Sequence, residues 1–179
     1  MLVIRATQKL LTHLGPPVID PPPSTTVLGD WYAKPFDVAK RHLVLLVSEK
    51  SRMAVLMPGE DVAAVPLSFP DVLASQLERL GVPQDAIDRE IAAAREIIIA
   101  GTANKSLLDT LNDYVAMTKH RFRDLSDVDL DAESLSLSDT PPSPLGHRFA
   151  SDVALELFGI EPSRSRAVLT SATAEHQKA

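Results

Sequence analysis

Arg41-His42-Leu43-Val44-Leu45-Leu46-Val47, then polar Ser48-Glu49-Lys50-Ser51-Arg52, then Met53-Ala54-Val55-Leu56-Met57 before Pro58-Gly59: on this stretch the fold turns. Two aliphatic runs of strand length joined by a short polar connection read as an antiparallel hairpin. Both runs are apolar at nearly every position instead of at alternate ones. Burial on both faces follows, in a sheet covered by helices.

Toward the N-terminus, Leu2-Val3-Ile4 reads as a short buried strand. Thr7 is expected to cap a helix from Gln8 to Leu14, with Gly15 as its stop. Gly15-Pro16-Pro17 through Pro21-Pro22-Pro23-Ser24 is loop, because consecutive prolines offer no backbone donors and favour extended geometry. Thr25 to Tyr32 fits a strand or a loop edge.

Toward the C-terminus the pattern turns helical. Ser68 and Asp71 have capping-box spacing, with Pro70 in the first turn, and Val72, Leu73, Leu77 and Leu80 recur until Gly81. Pro83 opens a second helix with Ile87, Ile91 and Ala94 on its apolar face. Ile97-Ile98-Ile99 is β-branched throughout and reads as a strand. Asn104 caps a long helix to Phe122, buried through Leu107, Leu108, Leu111 and Val115. Its acids precede its bases, which suits the helix dipole. The acidic, serine-rich stretch after Asp124 leads to Pro141-Pro142-Ser143-Pro144. A last helix, Ala150 to Phe158, docks through Val153, Leu157 and Phe158. The expected architecture is one α+β domain over residues 1–160, a small and mainly antiparallel sheet of about four strands against roughly four to five helices. Residues 161–179 lack apolar periodicity and read as a disordered tail.

With 179 residues, 45% hydrophobic and 23% charged, the chain has globular composition and room for one core. Residues 1–60 hold seven Lys/Arg against five Asp/Glu, and the remainder eleven against nineteen. That acidic balance argues against a nucleic-acid partner, which needs clustered positive charge. There are no cysteines, so disulfides, thiolate metal sites and thiol catalysis are excluded. Leu43–Val47 is the longest aliphatic run, far short of the roughly 20 residues of a membrane helix, and Arg5 interrupts the start where a signal peptide has its apolar segment. A cytoplasmic protein that does not engage a membrane is expected.

The glycines are scattered and form no phosphate-wrapping loop, and there is no Gly-x-Ser-x-Gly elbow. Asp127, Asp129 and Asp131 resemble the opening of a calcium loop, but Ala132 and Ser138 stand where it needs glycine and glutamate. An exposed edge strand or loop fits these acids better. The five histidines share no ligand spacing, so neither metal nor cofactor is expected.

Three places retain functional potential. Asp30-Trp31-Tyr32 sets an indole beside a phenol, able to stack on a ring or a partner's proline, or simply to plug the core edge. Asn104-Lys105-Ser106 with Asn112 couples a helix start to a cation, which suits an anion as well as a structural cap; a mid-helix Asn also wants a partner. Arg5 with Lys9, and Lys40-Arg41-His42, form local positive patches.

The runs Val3-Ile4-Arg5-Ala6-Thr7-Gln8-Lys9-Leu10-Leu11, Gly29-Asp30-Trp31-Tyr32-Ala33, Arg41 to Lys50, and Thr102-Ala103-Asn104-Lys105-Ser106-Leu107 with Leu111-Asn112-Asp113 resemble an uncharacterised bacterial domain of unknown function. A related segment opens the plasmid-borne, transposon-passenger family described as open-reading-frame-three-like. The resemblance spans about residues 1–157 through dispersed short motifs, and implies one α+β domain, a bacterial setting with mobile-element neighbours, and no established reaction. The chain departs from that pattern at Lys34-Pro35, where Asn-Leu is usual, and at Ser48, where Asn is usual.

The expectation is a small binding or regulatory protein without catalysis, engaging a protein or small ligand through Asp30, Trp31, Tyr32, Asn104, Lys105, Ser106 and Asn112. An enzymatic alternative is a nucleic-acid hydrolase or nucleotidyl-transferring toxin, with Asp30 and His42 as acid or base and Lys9, Arg41 and Lys105 holding phosphate. A second alternative is self-association through an exposed hairpin edge.

Overall fold

A computed structural model describes residues 1–122, 128–142 and 145–162. Five strands form one mixed sheet: β1 (Leu2–Ala6), β2 (Trp31–Val38), β3 (Arg41–Ser48), β4 (Ala54–Pro58) and β5 (Ile97–Gly101), in the order β4-β3-β2-β1-β5. The hairpin read from the aliphatic runs is β3–β4, with Leu43 opposite Pro58 and Val47 opposite Ala54. The expected α+β domain is present, its sheet mixed and of five strands instead of about four. β1 runs parallel to both β2 and β5, whereas β2–β3 and β3–β4 are antiparallel. A helical crossover precedes each parallel partner, and short connections join the antiparallel ones, as chain direction requires.

Among the described residues six α-helices cover the sheet: α1 (Gln8–Leu14), α2 (Val65–Leu80), α3 (Gln84–Ala94), α4 (Lys105–Arg121), α5 (Leu130–Ser138) and α6 (Ala150–Leu157). One core joins Ile4, Trp31, Val44, Leu46 and Val55 to Leu10, Phe69, Leu73, Leu77, Ile87 and Leu155 of α1, α2, α3 and α6. The other joins Tyr32, Leu43, Leu45 and Leu56 to Leu107, Leu111, Tyr114 and Leu137 of α4 and α5. The unbroken aliphatic character of β3 is thereby explained, since alternate residues enter different cores and every residue from Leu43 to Ser48 is buried.

β2 extends to Val38, through Pro35 and well past the expected limit at Tyr32. Its pairing with β1 ends at Ala33, so Pro35 lies where no ladder bond is required on that side. α2 begins at Val65, with Pro66 in its first turn and Pro70 inside, so Ser68 and Asp71 are not its cap. Proline suits a first-turn position because its missing N–H has no intrahelical partner there. Thr7 precedes α1 without a side-chain capping bond. Asp129 caps α5 through Asp131 and Ala132, which makes the acidic segment a helix start and not an edge strand; Asp127 lies outside the described residues. In α6, Val153 is buried and Phe158 packs against the core as expected, whereas Leu157 is exposed and Ala154 and Leu155 are buried in its place. Of the expected tail, residues 163–179 lie outside the described ones.

Neither sheet edge is bare. Ser134 and Ser138, one turn apart on α5, accept from the Leu56 and Ala54 amides at 2.8 and 2.9 Å, so their hydroxyls stand in for a further strand beside β4. Val18 bridges Ala100 beside β5, donating its amide to the Ile99 carbonyl at 2.8 Å. The open hairpin edge expected for self-association is therefore covered.

Candidate functional site

Consecutive residues of a strand point to opposite faces, and this separates Trp31 from Tyr32. Trp31 is fully buried in the α1–α2–α3 core, its ring edge-on to Phe69 with centroids 4.9 Å apart. Its Nε1 has no hydrogen-bond partner. The indole is a core residue, and the joint Trp31–Tyr32 contact edge does not form. Tyr32 enters the opposite core, where the Ala103 backbone just before α4 is near enough to favour its charged form. Burial raises the Tyr32 pKa, with Arg5 opposing that shift.

The polar connection after β3 is a folded unit. Ser48 Oγ donates to the Leu28 carbonyl at 2.8 Å and accepts the Ser51 amide at 3.1 Å, and Ser51 Oγ accepts the Met53 amide at 3.1 Å. Ser48 thus serves the turn. This unit holds Arg52 at φ +64°, a left-handed conformation unusual for a residue with a side chain. Its guanidinium lies 3.4 Å from Ser106 Oγ and 3.5 Å from Thr110 Oγ1, and its carbonyl accepts from the Tyr114 hydroxyl at 3.3 Å. Among the described residues no carboxylate forms an ion pair with it. Burial pulls the Arg52 pKa below the usual guanidinium range; Tyr114, Glu49 and Tyr32 oppose the shift.

Ser106 belongs to the first turn of α4. Asn104 caps that turn, its Oδ1 accepting the Leu107 amide at 3.3 Å, and Lys105 beside it is exposed. Two turns on, Asn112 Oδ1 accepts from Lys34 Nζ across the strand–helix gap. Asp30 is committed to structure: its carboxylate accepts Arg5 Nε at 2.6 Å and Ser24 Oγ at 2.7 Å, while Arg5 Nη1 donates to the Gly101 carbonyl at 3.2 Å.

Of the seven residues singled out by sequence, Tyr32, Asn104 and Ser106 gather where β2 meets the start of α4, with Lys105 on its exposed side. Asn112 lies farther along the same helix, Asp30 in the Arg5 pair, and Trp31 on the other face. Sequence reasoning missed Arg52 and Thr110. Arg52 closes a polar connector and looks like any solvated arginine there; its backbone conformation and neighbours arise only on folding.

The acid–base set proposed for catalysis is divided. His42 and Lys9 line one cavity of about 500 Å³, but Asp30, Arg41 and Lys105 do not line it. The acid facing His42 is Asp37, with Oδ1 2.6 Å from His42 Nδ1 across the β2–β3 ladder. Among the described residues, no group of three or more His, Asp or Glu is placed to hold a metal ion, and no helix is long and apolar enough to cross a membrane.

No curated protein and no solved structure matches the chain. A family model does, over residues 3–152, which takes in β1 from Val3 onward, the other four strands, the start of α4 and the Arg52 turn. By that match the chain belongs to the domain of unknown function DUF6933.

Proposed function

We propose that this chain is a small binding or regulatory protein that acts without catalysis and receives an anionic group of its ligand where Arg52 meets the first turn of α4. Arg52 carries the reading. It is half-buried, held in a costly backbone conformation, and supplied with two hydroxyl neighbours, and among the described residues no carboxylate is in ion-pair contact with it, Glu49 acting on it only from farther off. A guanidinium has five donors in a planar fork, which two hydroxyls at 3.4 and 3.5 Å leave far from satisfied. The positive end of the helix dipole and Lys105 favour the same sign of ligand. A carboxylate or a phosphate monoester, on a protein partner or a small molecule, has matching chemistry. The acidic balance beyond residue 60 disfavours a nucleic-acid polymer.

Calorimetric titration with inorganic phosphate and with phosphoserine tests this. Saturable binding is expected, weakened at least about tenfold (about 1.4 kcal/mol) by Arg52→Gln and less by Ser106→Ala. Equal binding by wild type and Arg52→Gln would refute it. A bacterial, cytoplasmic setting near mobile elements rests on the resemblance to transposon-passenger proteins, and gene neighbours test that separately.

A further inference from the structure

We propose that a second site, at the outer end of the β2–β3 hairpin, takes a small zwitterion that carries one ammonium and one carboxylate, of the α-amino-acid class.

The site exists because the sheet is staggered. β1 pairs with β2 only as far as Ala6 opposite Ala33, whereas β2 and β3 continue together to Val38 opposite Arg41. The projecting hairpin, α1 and the segment after β4 enclose the cavity of about 500 Å³. That volume suits a small organic ligand. β1 and β4 run the same way, and the cavity lies beyond their carboxyl ends, beside the part of β2 that projects past β1, a common location for ligands in layered sheets.

Its walls carry opposite charges. Lys9 and His13, four residues apart on α1, share one helix face. Glu60 and Asp61 follow β4, and Asp37 and His42 join the lining from the hairpin. Gly59 presses the acidic wall into place. Its amide donates to the His42 carbonyl at 2.8 Å, and a Cβ there would come within 3.0 Å of the His42 and Leu43 backbone. Yet Lys9, Glu60 and Asp61 form no ion pair with any described residue.

Lys9 faces Asp37 across the lining without an ion pair, and Glu60 and Asp61 are likewise in no ion pair, so charges of both signs stay open to a ligand and select by sign. A simple anion meets Lys9 but also three carboxylates, and a simple cation meets those acids but also Lys9. A zwitterion answers both, with its carboxylate at Lys9 and its ammonium at Glu60 and Asp61. Asp37 pairs with His42 through Nδ1, which leaves Nε2 able to hydrogen-bond to a ligand in the cavity that His42 lines.

Calorimetric titration of the whole chain with each free L-amino acid tests the site, followed by the N-acetyl and α-amide forms of the tightest one. At least one free amino acid is expected to bind with Kd of about 1 mM or tighter, and each blocked form at least about tenfold more weakly. Lys9→Met should abolish discrimination against the amide, and Asp61→Asn should reduce it against the N-acetyl form. Both residues are exposed, so both variants should fold, as circular dichroism will verify. Arg52→Gln should leave amino-acid binding intact, which separates this site from the one at α4. The proposal is overturned if no free amino acid binds, if blocked forms bind equally well, or if Lys9→Met changes nothing.

Discussion

Arg52 keeps a side chain at φ +64° where glycine would sit without strain. A left-handed non-glycine residue costs on the order of 1 kcal/mol or more, and the two long hydroxyl contacts return only part of that. Arg52→Gly should therefore leave thermal stability equal to or above wild type while removing anion binding, a separation that melting curves and calorimetry read together. A purely structural arginine would show the reverse. Glu90 is a different case. It is buried in α3, and its two carboxylate oxygens accept the Val27 and Leu28 amides at 2.6 and 3.2 Å, fastening the loop before β2. Glu90→Ala leaves both amides unpaired and should cost about 2–4 kcal/mol in urea denaturation.

Among the elements, the β2–β3 hairpin has the least favourable local chemistry. Ala39 and Lys40 connect Val38 to Arg41 at φ +47° and +66°, a two-residue turn of the kind that favours Asn-Gly. Ala39→Asn with Lys40→Gly should stabilise by about 1 kcal/mol, seen as a rise in Tm of about 2–4 °C. Nothing in Ala-Lys signals a turn, which is why β2 looked finished at Tyr32. At the sheet edge, Ser134→Ala with Ser138→Ala removes the acceptors for the Leu56 and Ala54 amides. The pair should cost about 2–4 kcal/mol and speed hydrogen exchange at those two amides first. Sequence alone gives these serines no role, because their partners lie 78 and 84 residues away.

Across the whole molecule, buried acids set how stability depends on pH. Burial raises the pKa values of Glu90 and Glu133, against the amides of Val27 and Leu28 in one case and Arg121 in the other. A carboxyl whose folded pKa is raised contributes stability fully below its unfolded pKa, and that contribution is lost as pH rises through the folded value. The penalty of Glu90→Gln relative to wild type should accordingly shrink between pH 4 and pH 7, as urea titrations at the two pH values will show. Fully exposed Asp37 moves the other way, its pKa lowered chiefly by the hydrogen bond to His42.

Local pattern alone determined much of this protein. The β3–β4 hairpin, the strand at Ile97–Ile99, the Asn104 cap and burial of the sheet on both faces all follow from apolar spacing and side-chain stereochemistry within a few residues. Tertiary structure decided the rest. The parallel pairings of β1, the alternation that sends Trp31 and Tyr32 into different cores, the serine cover on β4 and the Asp37–His42 pair all depend on which distant segments meet. The same holds for Arg52: a guanidinium gains a role only from what surrounds it, and its surroundings come from a helix more than fifty residues away.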